Sequence, residues 1–315
     1  MSGIIPNLIK YFNDLISRHK SVQIIIPTPP DIDAVCSSIV LANFLKSKSV
    51  EVKIISIQPL PDYYQSIIGD WAVGQIIDNI AEKLIFVIDC PTIKNSGFAE
   101  ISKNKSCTLV LIDHHPISDL HKISDLKIWG ESWSSTSQGL LYLFDALGGL
   151  NAQMSTLLYL ALIADTGAFQ HRVNSETYQV ASRLLSAGAN RVWASNFLEN
   201  QKISVDRLRL FGEVSQQARL IPEWDVLLAT VSSKMIVGDN FKNDESISGL
   251  TGFLQKQNLA QVVILIVEQK NGQVRGLIRS TDKNRPAGKL AKLFGGDGFD
   301  RAGGFIIKKT FATLN

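Results

Sequence analysis

Four short segments carry side chains whose types and spacing suit chemistry on an anion. In Pro27-Thr-Pro-Pro-Asp31-Ile-Asp33-Ala34, two carboxylates sit two residues apart in a turn, so both can face one point. Asp89 ends the apolar run LIFVID. Leu111-Ile-Asp113-His114-His115-Pro116 puts adjacent imidazoles directly after another apolar run and an Asp. Asp165-Thr166-Gly167 closes a helical apolar run. Taken singly, Asp31, Asp33 and Asp165 read as turn or cap residues. Taken together, the carboxylates and imidazoles outline a binuclear metal site suited to Mn²⁺, Mg²⁺ or Zn²⁺. Two ions a few Å apart can activate a water and neutralise a phosphoryl group during in-line attack.

Such a cluster needs elements that end at one edge. Val22–Ile26, Val52–Ile57, Leu84–Asp89 and Thr108–Asp113 read as strands, and residues 37–46 as the helix after the first. Uniformly apolar strands alternating with helices predict an α/β domain with a parallel sheet. In such sheets functional residues collect beyond the carboxyl ends of the strands. Residues 135–147, 153–164 and 177–187 have helical apolar spacing, and Ser186-Ala-Gly-Ala reads as a helix stop. Residues 190–221 form an amphipathic stretch, read as a helical connector. Beyond it, residues 226–231, 261–268 and 273–279 read as strands, with Asn271-Gly272 as a hairpin turn. The division expected is 1–189, 190–221 and a smaller α+β domain at 222–315, with a polar loop at 240–246.

The chain has 315 residues, with 32 Lys+Arg against 29 Asp+Glu. A net charge of +3 and 45% hydrophobic residues exclude an acidic disordered chain and a histone-like basic one. Nucleic-acid binding is not excluded, because a basic groove needs no large net charge. Cys36, Cys90 and Cys107 form no CxxC pair, which fits a reducing compartment better than a disulfide or zinc framework. No apolar run reaches the roughly 18–20 residues of a membrane span. The N-terminal 20 residues read as an amphipathic helix rather than a signal peptide. A cytoplasmic protein with no membrane partner is the expectation.

The order of these pieces resembles the DHH phosphoesterase superfamily across nearly the whole chain. Asp31-Ile-Asp33-Ala34 with Ser37-Ser38 looks like motif I, Asp89 fits motif II, and Asp113-His114-His115 is the name-giving motif III. Ser134-Ser135-Thr136 and Asp165-Thr166-Gly167-Ala-Phe169 look like the following helix and motif IV. Leu277-Ile-Arg279-Ser280 and the glycine-rich turn 295–304 resemble the family's substrate-binding DHHA1 domain. The resemblance implies that Asp33, Asp89, His114 and Asp165 hold one Mn²⁺ or Mg²⁺ ion and that Asp31 and Asp89 hold a second. It further implies that His115, with Asp113, acts at the substrate phosphate. Arg279, Ser280, Gly295, Gly296, Gly298, Gly303 and Gly304 would then contact the nucleotide.

Two positions depart from the family pattern. Pro27 stands where a metal-ligating His usually opens motif I, and Phe299 stands where the DHHA1 glycines are followed by His. Asp297 also adds a negative charge among those glycines. One departure weakens the second ion and the other weakens the substrate clamp. The favoured expectation is therefore a catalytically degenerate replication scaffold holding only one ion. It resembles the archaeal RecJ-like proteins that bind the GINS complex and the replicative helicase, and single-stranded DNA. Arg275, Arg279, Lys283, Arg285 and Lys289 are the candidate DNA contacts. The alternative is an active Mn²⁺-dependent phosphodiesterase on single-stranded DNA or short oligonucleotides. A pyrophosphatase is the third reading.

Overall fold

A strand covered by helices on both faces has no polar side, which is why the runs that carry the site are apolar throughout. The structure, a computed structural model, describes residues 6–75, 83–97, 107–199, 205–236, 247, 249–269 and 271–307. The chain divides into two units, Met1–Gln201 and Lys202–Asn315.

The first unit runs α1 (Pro6–Arg18), β1 (Ser21–Ile26), α2 (Ile32–Ser47), β2 (Glu51–Ser56), α3 (Gln65–Ile68), β3 (Val73–Gly74), β4 (Leu84–Ile88), α4 (Ile93–Ser96), β5 (Thr108–Asp113), α5 (Asp119–Ile123) and β6 (Leu126–Trp129). Four helices follow: α6 (Thr136–Leu147), α7 (Ala152–Asp165), α8 (Ser175–Ser186) and α9 (Arg191–Glu199). Its sheet has the order β3-β2-β1-β4-β5-β6 and is parallel throughout. The order reverses direction between β1 and β4, which is where an open parallel sheet presents a crevice at its carboxyl edge.

Side chains of the central strands alternate between two apolar layers. Ile24, Ile26, Phe86, Ile88, Val110 and Ile112 join one core with α2, α6 and α7. Ile25, Ile85, Val87, Leu109 and Leu111 join the other. The α2 helix packs on α7 and α6, and most of its residues are buried, so it lies inside the unit rather than on its surface.

The second unit holds α10 (Val205–Gln217), β7 (Arg219–Ile221), β8 (Val226–Val231), α11 (Leu250–Lys256), β9 (Val262–Glu268), β10 (Val274–Ser280), α12 (Ala287–Lys292), β11 (Asp297–Gly298) and β12 (Ala302–Ile307). Its mixed sheet has the order β11-β12-β10-β9-β8-β7, with β8 and β9 parallel and the other pairs antiparallel. The Asn271-Gly272 turn joins β9 to β10, with Gly272 at φ +78°.

The stretch read as one connector is instead several elements. α9 packs on α7 in the first unit, whereas α10 packs on β8 in the second. The segment read as a glycine turn at 295–304 contains β11 and β12, with Gly303 paired to Ile278 and Gly304 to Leu277. The polar stretch 240–246 lies outside the described residues. Among the described residues, no helix is long and apolar enough to cross a membrane.

Phe86 is fully buried on β4 and meets Phe12 edge-to-face, with ring centroids 6.0 Å apart. Its removal leaves a cavity that the flanking helices cannot close. Phe86→Ala should cost about 3–5 kcal/mol and Ile85→Val about 0.5–1.5 kcal/mol, read from the urea unfolding transition of the first unit. A loss as small for Phe86→Ala as for Ile85→Val would show that the face of the sheet carrying Phe86 is loosely packed.

Candidate metal centre

Each ligand candidate is fixed by a strand end or a helix end. Asp89 follows β4 with φ +52°, a left-handed conformation uncommon outside glycine, and its N–H donates to the Ile112 carbonyl at 2.9 Å. The β5 run carries Asp113, His114 and His115 to the same edge. Asp33 lies in the first turn of α2, where a carboxylate suits the helix dipole. It also caps a second helix: the α6 N-terminal N–H groups of Thr136 and Ser137 donate to it at 2.6 and 3.2 Å. Ser37 Oγ adds a bond at 3.0 Å. Asp165 ends α7.

The side chains converge into two donor groups, Asp33/His114/Asp165 and Asp89/His114/His115, with ligand atoms in each group within 4.8 Å of one another. His114 links them, its Nε2 standing 3.4 Å from both Asp89 and Asp165. Its Nδ1 faces the Trp133 carbonyl at 3.3 Å. Asp113 lies behind the pair, its Oδ1 bonded to His115 Nδ1 at 2.8 Å. With Nδ1 so engaged, His115 keeps Nε2 for another partner. Asp31 belongs to neither group. It is exposed, and its carboxylate caps α2 by accepting from Ala34 N–H at 2.9 Å.

Asp33, Asp89 and His114 are buried. Burial first, then the neighbouring carboxylates, holds Asp33 and Asp89 well above the usual carboxylate range. Burial and Asp31 push Asp165 up to about 6. Burial and the adjacent His115 lower His114 to about 4, so its ring is neutral and able to ligate at pH 7. Asp165 Oδ2 and Asp113 Oδ2 are buried without a hydrogen-bond partner. A cluster of carboxylates that raise one another's proton affinity, with a neutral imidazole and an orphan oxygen at Asp165, fits a divalent cation.

Several contributors escaped sequence reasoning. Thr136 Oγ1 donates to Asp89 at 2.7 Å. Arg172 Nη1 lies 3.7 Å from Asp165 Oδ2. The Ser-Ser-Thr run hinted at the first, because hydroxyl residues before a helical pattern mark an N-terminus. Nothing in spacing marked the second.

The residues expected to grip a nucleotide lie in the second unit. Arg279 is half-buried on β10 and has no ion pair among the described residues. Ser280 is buried and accepts from the Asp282 N–H at 3.1 Å, which shapes the turn after β10. Gly295, Gly296, Gly298, Gly303 and Gly304 lie where α12 meets β11 and β12. Close backbone approach accounts for two of them: a Cβ on Gly298 would lie 2.4 Å from the Ala302 carbonyl, and one on Gly303 would lie 2.6 Å from that of Ala287. Of the two family departures, Pro27 follows β1 and Phe299 is 79% exposed.

A parallel sheet with carboxylates and imidazoles converging at its carboxyl edge makes a frame that could hold a metal ion. Residues 21–164 match the DHH family, N-terminal domain, a span that contains every ligand candidate except Asp165. The chain is 27% identical over 205 residues to the cyclic-di-AMP phosphodiesterase PdeA of Listeria monocytogenes serotype 1/2a (strain 10403S), covering 59% of this chain and 31% of that protein. It is 26% identical over 151 residues to a membrane protein-large ribosomal subunit bL9 fusion protein of Onion yellows phytoplasma (strain OY-M), covering 46% of this chain and 16% of that one. The chain thus spans less than a third of the length of either curated relative. Among solved structures, an exopolyphosphatase-related protein from Bacteroides fragilis shares the fold, with a TM-score of 0.85 at 22% identity over 99% of this chain and 94% of that one. Residues 21–164 are thus similar to the DHH family's N-terminal domain, and the Bacteroides fragilis structure shares the fold of the chain.

The pKa shifts fix the sign of a pH effect. A carboxylate whose pKa is raised on folding contributes stability below its unfolded value of 3.8, and loses it as pH rises through the folded value, about 6 for Asp165. Asp33 and Asp89 act in the same direction. His114 acts oppositely, but only below 6.5. Metal-stripped protein should therefore lose stability as pH rises from about 4 through about 6, and Mn²⁺ should raise its Tm more at pH 8 than at pH 5.5. Asp89→Asn should raise the Tm of the stripped protein at pH 8 and shrink the Mn²⁺ gain. Differential scanning calorimetry with and without chelator reads both, and a pH-independent Mn²⁺ shift would refute the cluster as its site.

Proposed function

We propose that this protein is a metal-dependent hydrolase of phosphodiester bonds in small nucleotides or short single strands. The observation that carries the reading is the pair of donor groups, Asp33/His114/Asp165 and Asp89/His114/His115, that share His114. A buried, mutually repelling carboxylate set costs stability, and a scaffold has no use for it without a cation. The likeness to a cyclic-di-AMP phosphodiesterase over more than half of the chain supports the same direction.

Asp33, Asp89, His114 and Asp165 would hold Mn²⁺ or Mg²⁺, which supplies positive charge for a phosphoryl group and acidifies a water. Asp113 fixes the His115 ring by accepting from Nδ1–H, leaving the Nε2 lone pair to accept a proton from an attacking water. His115 has a side chain 24% exposed and can be reached, whereas Asp113 is fully buried. The α6 N-terminus and Thr136 hold Asp33 and Asp89 in place, so little reorganisation is needed when charge develops. Arg279 in the second unit would take a substrate phosphate.

A second reading is the non-catalytic replication scaffold that binds GINS and the helicase. Pro27 favours it, because its side chain has no ligand atom for a second ion. The two readings separate in one experiment. Purified protein is incubated with Mn²⁺ and either cyclic-di-AMP or end-labelled single-stranded DNA. The expected outcome is turnover that Asp89→Ala lowers at least 10³-fold, on the order of a lost charge-stabilising group, and that Pro27→His raises. No turnover by either form, together with recovery of GINS subunits on the wild-type protein from native extract, would establish the scaffold instead.

A further inference from the structure

A cavity of about 420 Å³ opens beside His114 within the first unit, bordered by Glu131, Ser132, Trp133, Arg172 and Asn174. Its size suits a single small-molecule ligand. The segment after Asp165 is bent into it by a run of left-handed residues: Gly167, Ala168, Phe169 and Arg172 all have φ between +51° and +65°. The buried Ser134 hydroxyl and the exposed Asn174 amide then tie this segment to the 132–134 stretch. Ser134 Oγ donates to the Arg172 carbonyl at 2.8 Å, and Asn174 Nδ2 donates to the Ser132 carbonyl at 3.2 Å. Strain held this firmly at one residue implies that its side chain must be where it is.

Arg172 is the one cationic residue of the cavity lining, and its side chain is 56% exposed. Its contact with Asp165, at 3.7 Å, is looser than a bidentate pair, so the guanidinium retains donors for an anion. Glu131 on the same rim carries the opposite charge. Among the described residues of the lining, Arg172 and Glu131 are the oppositely charged pair. Beyond the metal centre itself, inorganic pyrophosphate or polyphosphate would find one side-chain cation in this lining, Arg172, and would be repelled by Glu131. A nucleoside monophosphate moiety matches better: one phosphate for Arg172, and sugar hydroxyls or a base amino group for Glu131.

Building on the phosphodiesterase reading, we infer that this cavity binds one nucleoside monophosphate unit of the substrate through Arg172, and that its mixed charge selects phosphodiesters against inorganic polyphosphates. Arg172 and Glu131 are thereby specificity residues of the first unit itself, separate from the nucleotide contacts expected in the second.

The test uses AMP, which has no phosphodiester bond to hydrolyse. Isothermal titration calorimetry on the full chain in Mn²⁺ should show AMP binding that Arg172→Gln weakens at least 10-fold and Arg172→Lys weakens less. Glu131→Gln should tighten pyrophosphate relative to AMP. Circular dichroism melts establish that the variants are folded, and Arg172→Lys keeps the charge should Arg172→Gln fail to fold. Unchanged AMP affinity in a folded Arg172→Gln, or pyrophosphate bound more than 10-fold tighter than AMP by the wild type, would overturn the inference. Arg172-dependent AMP binding without any diester hydrolysis would uphold the cavity and sink the phosphodiesterase reading. Diester hydrolysis with a KM unmoved by Arg172→Gln would do the reverse.

Discussion

Three carboxylates held together out of water are the constraint that organises the first unit. Asp33 and Asp89 are at most 2% exposed, and Asp165 Oδ2 is buried. Two charges 4.8 Å apart repel by roughly 3–4 kcal/mol at an effective dielectric of 20. The α6 N-terminus that caps Asp33 returns about 0.3–2 kcal/mol. Helix dipoles and hydroxyl bonds can therefore orient these groups without cancelling their repulsion. Either protons or a cation must do that, and the raised pKa values are the proton half of the same statement.

The fold supplies the rigidity that such an arrangement needs. β4 and β5 are buried on both faces, so Asp89 and the His114–His115 pair leave the sheet from positions that cannot drift. α2 and α7 pack against each other inside the same core and bring Asp33 and Asp165 to that edge from opposite chain directions. The left-handed backbone at Asp89 is affordable only because its N–H remains in the ladder with Ile112. Order in the core thus becomes order in the donor set.

Much of this was legible in the sequence, for physical reasons. Runs such as LIFVID and TLVLID have one reading as strands covered on both faces, and the polar residue that ends each marks the edge. That logic put Asp89 and the His114–His115 pair at one edge, whereas the set Asp33, Asp89, His114 and Asp165 was implied only by the resemblance to the DHH superfamily. Asp31 did not, because alternation along a turn does not say which carboxylate is consumed by capping. It became the α2 cap while Asp33, two residues on, was buried. The 295–304 segment misled for a related reason. Glycine permits both an open loop and close strand approach, and composition alone does not separate them. The short strand β6 gave only four residues of signal, too few for periodicity to register.

Pro27 bears on how many ions such a site can hold. The loop it opens is fixed from outside: Thr28 N–H donates to the Asn95 carbonyl at 2.7 Å, and Asn95 Nδ2 donates back to the Thr28 carbonyl at 3.2 Å. That clamp holds the backbone of the motif I turn while no side-chain donor is offered at 27. The donor group nearest a second ion, Asp89/His114/His115, shares His114 with the first and has its His115 Nδ1 bonded to Asp113. A shared imidazole cannot serve two ions through one nitrogen, so the two donor groups compete for His114. Lewis-acid charge on one side of a phosphoryl group leaves the other side to protein donors. Arg172 is the group placed to provide one. On that view the basic residue at the rim takes over part of what a second ion does elsewhere, and the loss at position 27 need not be a loss of chemistry.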